Sequence, residues 1–363
     1  MIDVAVIGGG PAGSAAALAL ARLGAAVLLV EPGTGRPPVG ETLPPSAKPL
    51  LDRLGLRDQM AGEGFLPSVG NWSAWGGAEP WGRDFLYHRN GAGWHLDRRR
   101  FDVLLRRAAE AAGAVPRRAS LAQAVPQAGG GFRLSLTDGH ELQVPLVLDA
   151  TGRRSAFARA LGLRRRPIDR MVAIAGYVAR RADGPPEPAA TLVEAAETGW
   201  WYSAPLPQDR LVAVFMTDAD LARDGVTGLH GWLDRLAAAP ETAARALRYG
   251  AGLAGPPMVV PAASARLERT AGADWLAIGD AAASFDPLSS QGISSALETG
   301  MAAAAACVRR LGGDGEALIA ASARHDVAWS EYEAGRMGYY ALEQRWRELP
   351  FWARRQTARR DAA

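Results

Sequence analysis

The chain begins with an apolar run at residues 1–7 that passes into Gly8-Gly9-Gly10-Pro11-Ala12-Gly13 and then into an alanine-rich stretch at 14–23. The run reads as a short buried strand and the stretch as a helix that Gly24 stops. A second apolar run at 25–30 closes on Glu31, so residues 1–31 read as a βαβ unit. Farther on, Phe101, Leu104, Leu105 and Ala108 fall on one face behind Asp97, which predicts an amphipathic helix over about 97–112. Residues 121–147 alternate around Asp138-Gly139 and predict a β-meander. Two further runs, 146–152 and 275–279, read as buried strands that each end in a glycine. Alternation at 171–178, 191–194, 200–205 and 210–217 predicts strands of a separate sheet, with a helix near 228–238. Ser46 is read as the N-cap of a helix to about Leu54, and helices are expected over 290–311 and 316–349.

Composition narrows this picture. The chain has 363 residues with 48% hydrophobic and 22% charged, ordinary for a globular protein and long enough for about two domains. A net charge of +3 gives no reason to expect a nucleic-acid surface, and the basic side chains are arginines except for Lys48. Cys307 is the sole cysteine, so no disulfide framework is expected, and His88, His95, His140, His230 and His325 show no metal-ligand spacing. No segment reads as a membrane span, and residues 1–31 lack the basic start of a secretory signal, so a reducing cytoplasm is the expected compartment.

The first stretch carries recognisable chemistry. Gly8, Gly10 and Gly13 have the G-x-G-x-x-G spacing of a dinucleotide-binding turn, with Glu31 placed for a ribose hydroxyl. Gly8 permits the turn, Gly10 lets backbone approach a pyrophosphate, and Gly13 lets helix and strand pack closely. Pro11 and Ala12 carry the turn into the first helical residues, where free N–H groups favour an anion. His88 and His95 are candidates for a base near neutral pH, and structural roles remain open for both. Trp72, Trp75, Trp81, Trp94, Trp200, Trp201 and Tyr202 are candidates for an aromatic wall or for a packed sheet face.

Four segments together resemble the FAD-binding framework of class A flavin monooxygenases and flavin-dependent halogenases: the glycine turn, Leu96-Asp97-Arg98-Arg99-Arg100-Phe101-Asp102, Asp149-Ala150-Thr151-Gly152-Arg153-Arg154-Ser155, and residues 278–293 around Asp280. The resemblance implies an α/β fold. A Rossmann-type, glutathione-reductase-like FAD domain (1–70, 95–165, 262–315) would carry an inserted β-sheet substrate domain (71–94, 166–261) and a helical tail (316–363). It implies non-covalent FAD contacted by Arg36, Glu41, Thr42 and Arg98, a ribityl hydroxyl on Asp280, and Pro287, Gly292 and Ile293 beside the flavin ring. Electrons would come from NAD(P)H or a separate flavin reductase, and molecular oxygen would be used to hydroxylate an aromatic ring.

Val39-Gly40-Glu41-Thr42 and Phe285-x-Pro287-x-x-Ser290-x-Gly292 look like the halogenase branch. That chemistry needs a lysine after the first domain's helix, and residues 49–199 contain none. Ser289 stands where tryptophan halogenases carry a glutamate, which makes it a third catalytic candidate, and their W-x-W-x-I-P signature is only partly matched by Trp200-Trp201-Tyr202-Ser203-Ala204-Pro205. The run Asp286-Pro287-Leu288-Ser289-Ser290-Gln291-Gly292-Ile293 is similar to that of flavoprotein maturases that oxygenate a tryptophan of a partner protein on the way to a tryptophylquinone. Geranylgeranyl-reductase-like proteins share the scaffold. The expectation is an aromatic wall formed by residues 65–94 and 200–205, with Trp201 stacking on the substrate and an open approach.

Overall fold

The structure is a computed structural model of the chain, and it describes residues 1–33, 42–180, 188–222 and 228–356. Its first layer is a six-stranded sheet. Five strands are parallel in the order Trp275–Ala277, Leu146–Asp149, Val4–Ile7, Val27–Val30 and Val115–Arg117, and the short Ala271–Gly272 strand adds antiparallel at one edge. The central strands are buried on both faces, which is why they read as unbroken apolar runs rather than alternating ones.

The helix Pro11–Arg22 follows the first strand directly. Gly8 holds φ +112°, a conformation that side chains avoid, and a Cβ there would overlap the Ala150 carbonyl. A Cβ on Gly13 would overlap the Gly8 carbonyl, so this glycine sets how closely helix and strand approach. The same helix packs against Gly292–Leu311, where Gly300 sits against the Ala12 carbonyl. The Arg98–Ala111 helix is capped by the Asp97 carboxylate, which accepts from the backbone N–H groups of Arg99 and Arg100. The meander of Leu121–Pro126, Phe132–Leu136 and Glu141–Val144 forms its own three-stranded sheet.

The second layer is an eight-stranded sheet. Its main path runs Gly250–Leu253, Met171–Arg180, Arg210–Asp218, Gly199–Leu206, Ala190–Ala196, Gly70–Ala74 and Trp81–Asp84, and Met258–Pro261 pairs off this path with Met171–Arg180. Residues 71–94 are divided. Gly70–Ala74 and Trp81–Asp84 join this sheet, whereas Gly93–His95 pairs with Thr42–Leu43 and Leu66–Ser68 in a small sheet between the layers. The helices Leu229–Ala237 and Pro240–Tyr249 cover one face. The helices Ala317–Ala341 and Pro350–Gln356 lie against the other. Helical structure around 46–54 begins as a 3-10 turn at Pro45 and continues at Lys48–Arg53, so Ser46 lies inside the turn and does not cap it. No helix of the described residues is long and apolar enough to cross a membrane.

Candidate functional site

A cavity of about 370 Å³ runs between the two layers. On one side it is bordered by Gly10, Pro11, Ala12, Ala150 and Gly152. The opposite side is the sheet face carrying Ala173, Tyr202 and Met216, together with Val260. The loop at 285–292 and the start of the Gly292–Leu311 helix form a third wall. Ser290, Gln291 and Gly292 are exposed, so the cavity reaches solvent there.

Of the residues expected to contact a dinucleotide, Gly10, Pro11, Ala12, Thr42, Arg98, Asp280, Pro287, Gly292 and Ile293 all line this one cavity. Gly8 and Gly13 stand behind it and shape the turn. Glu31 is not among the lining residues, and its carboxylate accepts from the Gly9 backbone N–H at 2.6 Å while Arg106 donates to the Gly9 carbonyl at 3.1 Å. Arg36 and Glu41 lie outside the described residues. Among the polar groups, Asp280 lies 3.5 Å from the guanidinium of Arg153, another lining residue. Asp102, 3.4 Å from Arg98, is pushed up from the usual carboxylate range by burial, with the charges of Arg98 and Arg106 opposing.

The catalytic candidates part company. Ser289 lines the cavity. His88 is half-buried beside Phe85 and is not a lining residue; its Nδ1 accepts from the Asn90 N–H. His95 is fully buried in the small sheet, and burial brings its pKa down to about 4, which makes it a far weaker base than the near-neutral one expected.

The expected aromatic wall is largely elsewhere. A strand alternates its side chains between faces, so Trp200 and Tyr202 share one face and Trp201 takes the other. Trp201 is buried against Phe215 and Trp232, away from the cavity. Trp200 and Trp75 pack with Tyr340 and Trp352 in a core beside the cavity. Trp72 is 46% exposed and stacks over Gly82 at the sheet edge. Of the seven aromatic candidates, Tyr202 alone lines the cavity.

Sequence reasoning passed over the support beneath the 285–292 loop. Asp286 is buried at the cavity wall, and its carboxylate accepts from the Tyr340 hydroxyl at 2.9 Å and from Arg336 at 3.2 Å. Arg336 also reaches Asp169 at 3.2 Å, and the Tyr332 hydroxyl lies 3.0 Å from the Asp286 N–H. Burial raises the Asp286 pKa, against the charges of Arg336 and Arg355. Tyr332, Arg336 and Tyr340 recur every four residues on one helix. That stripe was the available signal.

The model of the tryptophan halogenase family matches residues 3–90 and 83–362. The chain belongs to this family. Within and around the family, LodB of Marinomonas mediterranea, provisionally named an FAD-dependent oxidoreductase, is 31% identical over 97% of this chain and 96% of its own length. Among solved structures, the flavin-dependent halogenase CmlS superposes with a TM-score of 0.86 at 25% identity, covering 99% of this chain and 68% of CmlS. The peptidyl tryptophan dihydroxylase QhpG, essential for tryptophylquinone cofactor biogenesis, superposes with a TM-score of 0.76 at 26% identity, covering all of this chain and 80% of its own. This member of the family is an FAD-dependent oxidoreductase.

Proposed function

We propose that the protein is an FAD-dependent oxygenase that hydroxylates an aromatic ring, and that its substrate is a tryptophan side chain of a partner protein. The observation that carries this reading is that no lysine lines the cavity. The chain's single lysine is engaged elsewhere: Lys48 donates to the Asn90 carbonyl at 2.8 Å and stands 4.7 Å over the Trp94 ring. A halogenase of this family needs a lysine to hold the hypohalous acid, and this site offers none. The likeness to QhpG supports the choice of substrate.

The residues present fit FAD. A Cβ built on Gly10 or on Gly292 meets no protein atom within 4 Å, so at two helix starts the backbone borders open cavity. Gly10, Pro11 and Ala12, on the turn that Gly8, Gly13 and Glu31 shape, would hold the dinucleotide end, Thr42, Arg98 and Asp280 its middle, and Pro287, Gly292 and Ile293 the ring. Residues 1–70, 95–165 and 262–315 would thus serve the cofactor, and 71–94 with 166–261 the substrate. When bound and reduced, FAD supplies the activation of molecular oxygen. The chain's own part is positioning: Ala173, Met216, Val260 and Ile293 present apolar surface that excludes water and receives a ring. The reductant would be NAD(P)H or a separate flavin reductase, in the cytoplasm.

The test supplies FAD, a flavin reductase with NADH, oxygen and bromide to the purified protein, with tryptophan-containing peptides, free tryptophan or phenol as acceptors. Mass spectrometry should find added oxygen and no bromine. A second reading, aromatic halogenation, is favoured by the family match itself, and a brominated product would establish it in place of ours.

A further inference from the structure

A second cavity, of about 390 Å³, lies at one end of the eight-stranded sheet. Its charged walls are two aspartates, Asp169 and Asp218, and four arginines, Arg170, Arg336, Arg354 and Arg355. None of these residues lines the first cavity. Met171 pairs with Asp218, so one strand starts where its neighbour ends, and Asp169 and Arg170 come to the same end as Asp218. Arg336 arrives from the Ala317–Ala341 helix, and Arg354 and Arg355 from Pro350–Gln356. The carboxylates are already engaged. Asp218 accepts from Arg354 at 2.8 Å and from both terminal nitrogens of Arg355 at 3.1 and 2.6 Å. Asp169 accepts from the Met171 and Ser264 N–H groups and from Arg336 at 3.2 Å. Donors are left over. A guanidinium donates from all three of its nitrogens, and Arg336 places only Nε on Asp286 and Nη2 on Asp169. Arg170 is exposed, and its guanidinium makes no hydrogen bond or close ion pair with the described residues, although its charge reaches Asp220.

We propose that this second cavity is a binding site for a small oxyanion of the phosphate or carboxylate class. An entering anion meets four guanidinium groups, Arg170 and Arg336 among them with unused donors, whereas a cation would meet carboxylates that are already engaged. The planar guanidinium fork matches the oxygens of a phosphate or a carboxylate. Ion pairing within the fold accounts for Arg336, Arg354 and Arg355, which tie the C-terminal helices to the sheet. It does not account for Arg170, which has no such tie and still lines the cavity. The site stands apart from the aromatic-oxidation reading and does not depend on it.

The experiment uses the FAD-loaded protein, so that the turn at Gly10 is occupied and cannot take up the probe. Isothermal titration calorimetry follows inorganic phosphate and succinate, each at an ionic strength matched with sodium chloride. At least one of them should bind at a single site, and the tighter of the two identifies the class. Arg170→Ala should weaken that binding about tenfold or more, the loss of one charge-assisted contact, with the flavin absorbance unchanged. Arg83→Ala removes an exposed arginine that does not line the cavity, and it should bind as wild type does. Three results each overturn the proposal: no binding of either anion by wild type, undiminished binding by Arg170→Ala, or an equal loss in Arg83→Ala, which would mark the binding as a general effect of surface charge.

Discussion

Acid should destabilise this protein through His95 by an amount that one substitution can isolate. The unfolded imidazole titrates near its ordinary value of 6.5, and burial, aided by the charge of Arg245 and opposed by the Ala189 carbonyl, moves the folded value to about 4. Between these values the unfolded chain binds the extra proton and the folded one does not, so stability is complete above 6.5 and falls as pH drops toward 4. At about pH 5 the gap to the unfolded value is about 1.5 units, worth about 2 kcal/mol at 1.36 kcal/mol per unit. The assay is urea unfolding followed by tryptophan fluorescence at about pH 7.5 and pH 5, comparing wild type with His95→Gln, which cannot titrate. Asp149 and Asp286 are both raised by burial and act in the opposite sense, but they do so in both proteins and cancel in the comparison. Wild type should lose about 2 kcal/mol more than the variant on acidification. Equal losses would refute the assignment of His95 as a buried neutral ring.

Other variants separate cofactor binding from folding. Gly10→Val should fold as judged by circular dichroism, since a Cβ there meets no protein atom within 4 Å, yet purify without FAD absorbance; Gly8→Val should fail to fold, because φ +112° and the Ala150 carbonyl leave no place for it. Trp201→Ala should lower unfolding stability by about 3–5 kcal/mol while leaving FAD bound under native conditions, the expected result for a large side chain removed from the face opposite the cavity. Tyr340→Phe removes a hydroxyl that accepts from Trp200 and donates to Asp286, and should cost about 1–3 kcal/mol in the same unfolding assay.

What could be read from the chain was what is encoded locally. The glycine turn, its strands and its helix are determined within residues 1–31, and the Asp97 cap within a few positions. The helix Pro240–Tyr249 lies beyond the helix expected near 228–238, and Pro240, suited to a first helical position, was the available signal for it. Trp200 and Trp201 were grouped as one wall, although the period of two in a strand already sends them to opposite faces. His95 was read as a base because its type has a pKa near neutral; burial, which decides its actual state, is a property of the packed layers. The stripe Tyr332, Arg336 and Tyr340 was visible, but nothing local says that it meets Asp286, some fifty positions earlier.

That last contact bears on how the molecule is made. Asp286 lies in the wall of the cavity, yet its carboxylate is satisfied by residues 336 and 340, and Arg336 in turn reaches back to Asp169. The helix that supplies them is anchored by Trp352 through Tyr340 and by the donation from Gln356 to the Tyr340 carbonyl. A ribosome that has delivered the glycine turn, both sheets and residue 286 has therefore produced a pocket whose wall carboxyl still lacks its donors from Arg336 and Tyr340. The wall of the cavity is therefore completed only when the segment to residue 356 has been made and has packed against it.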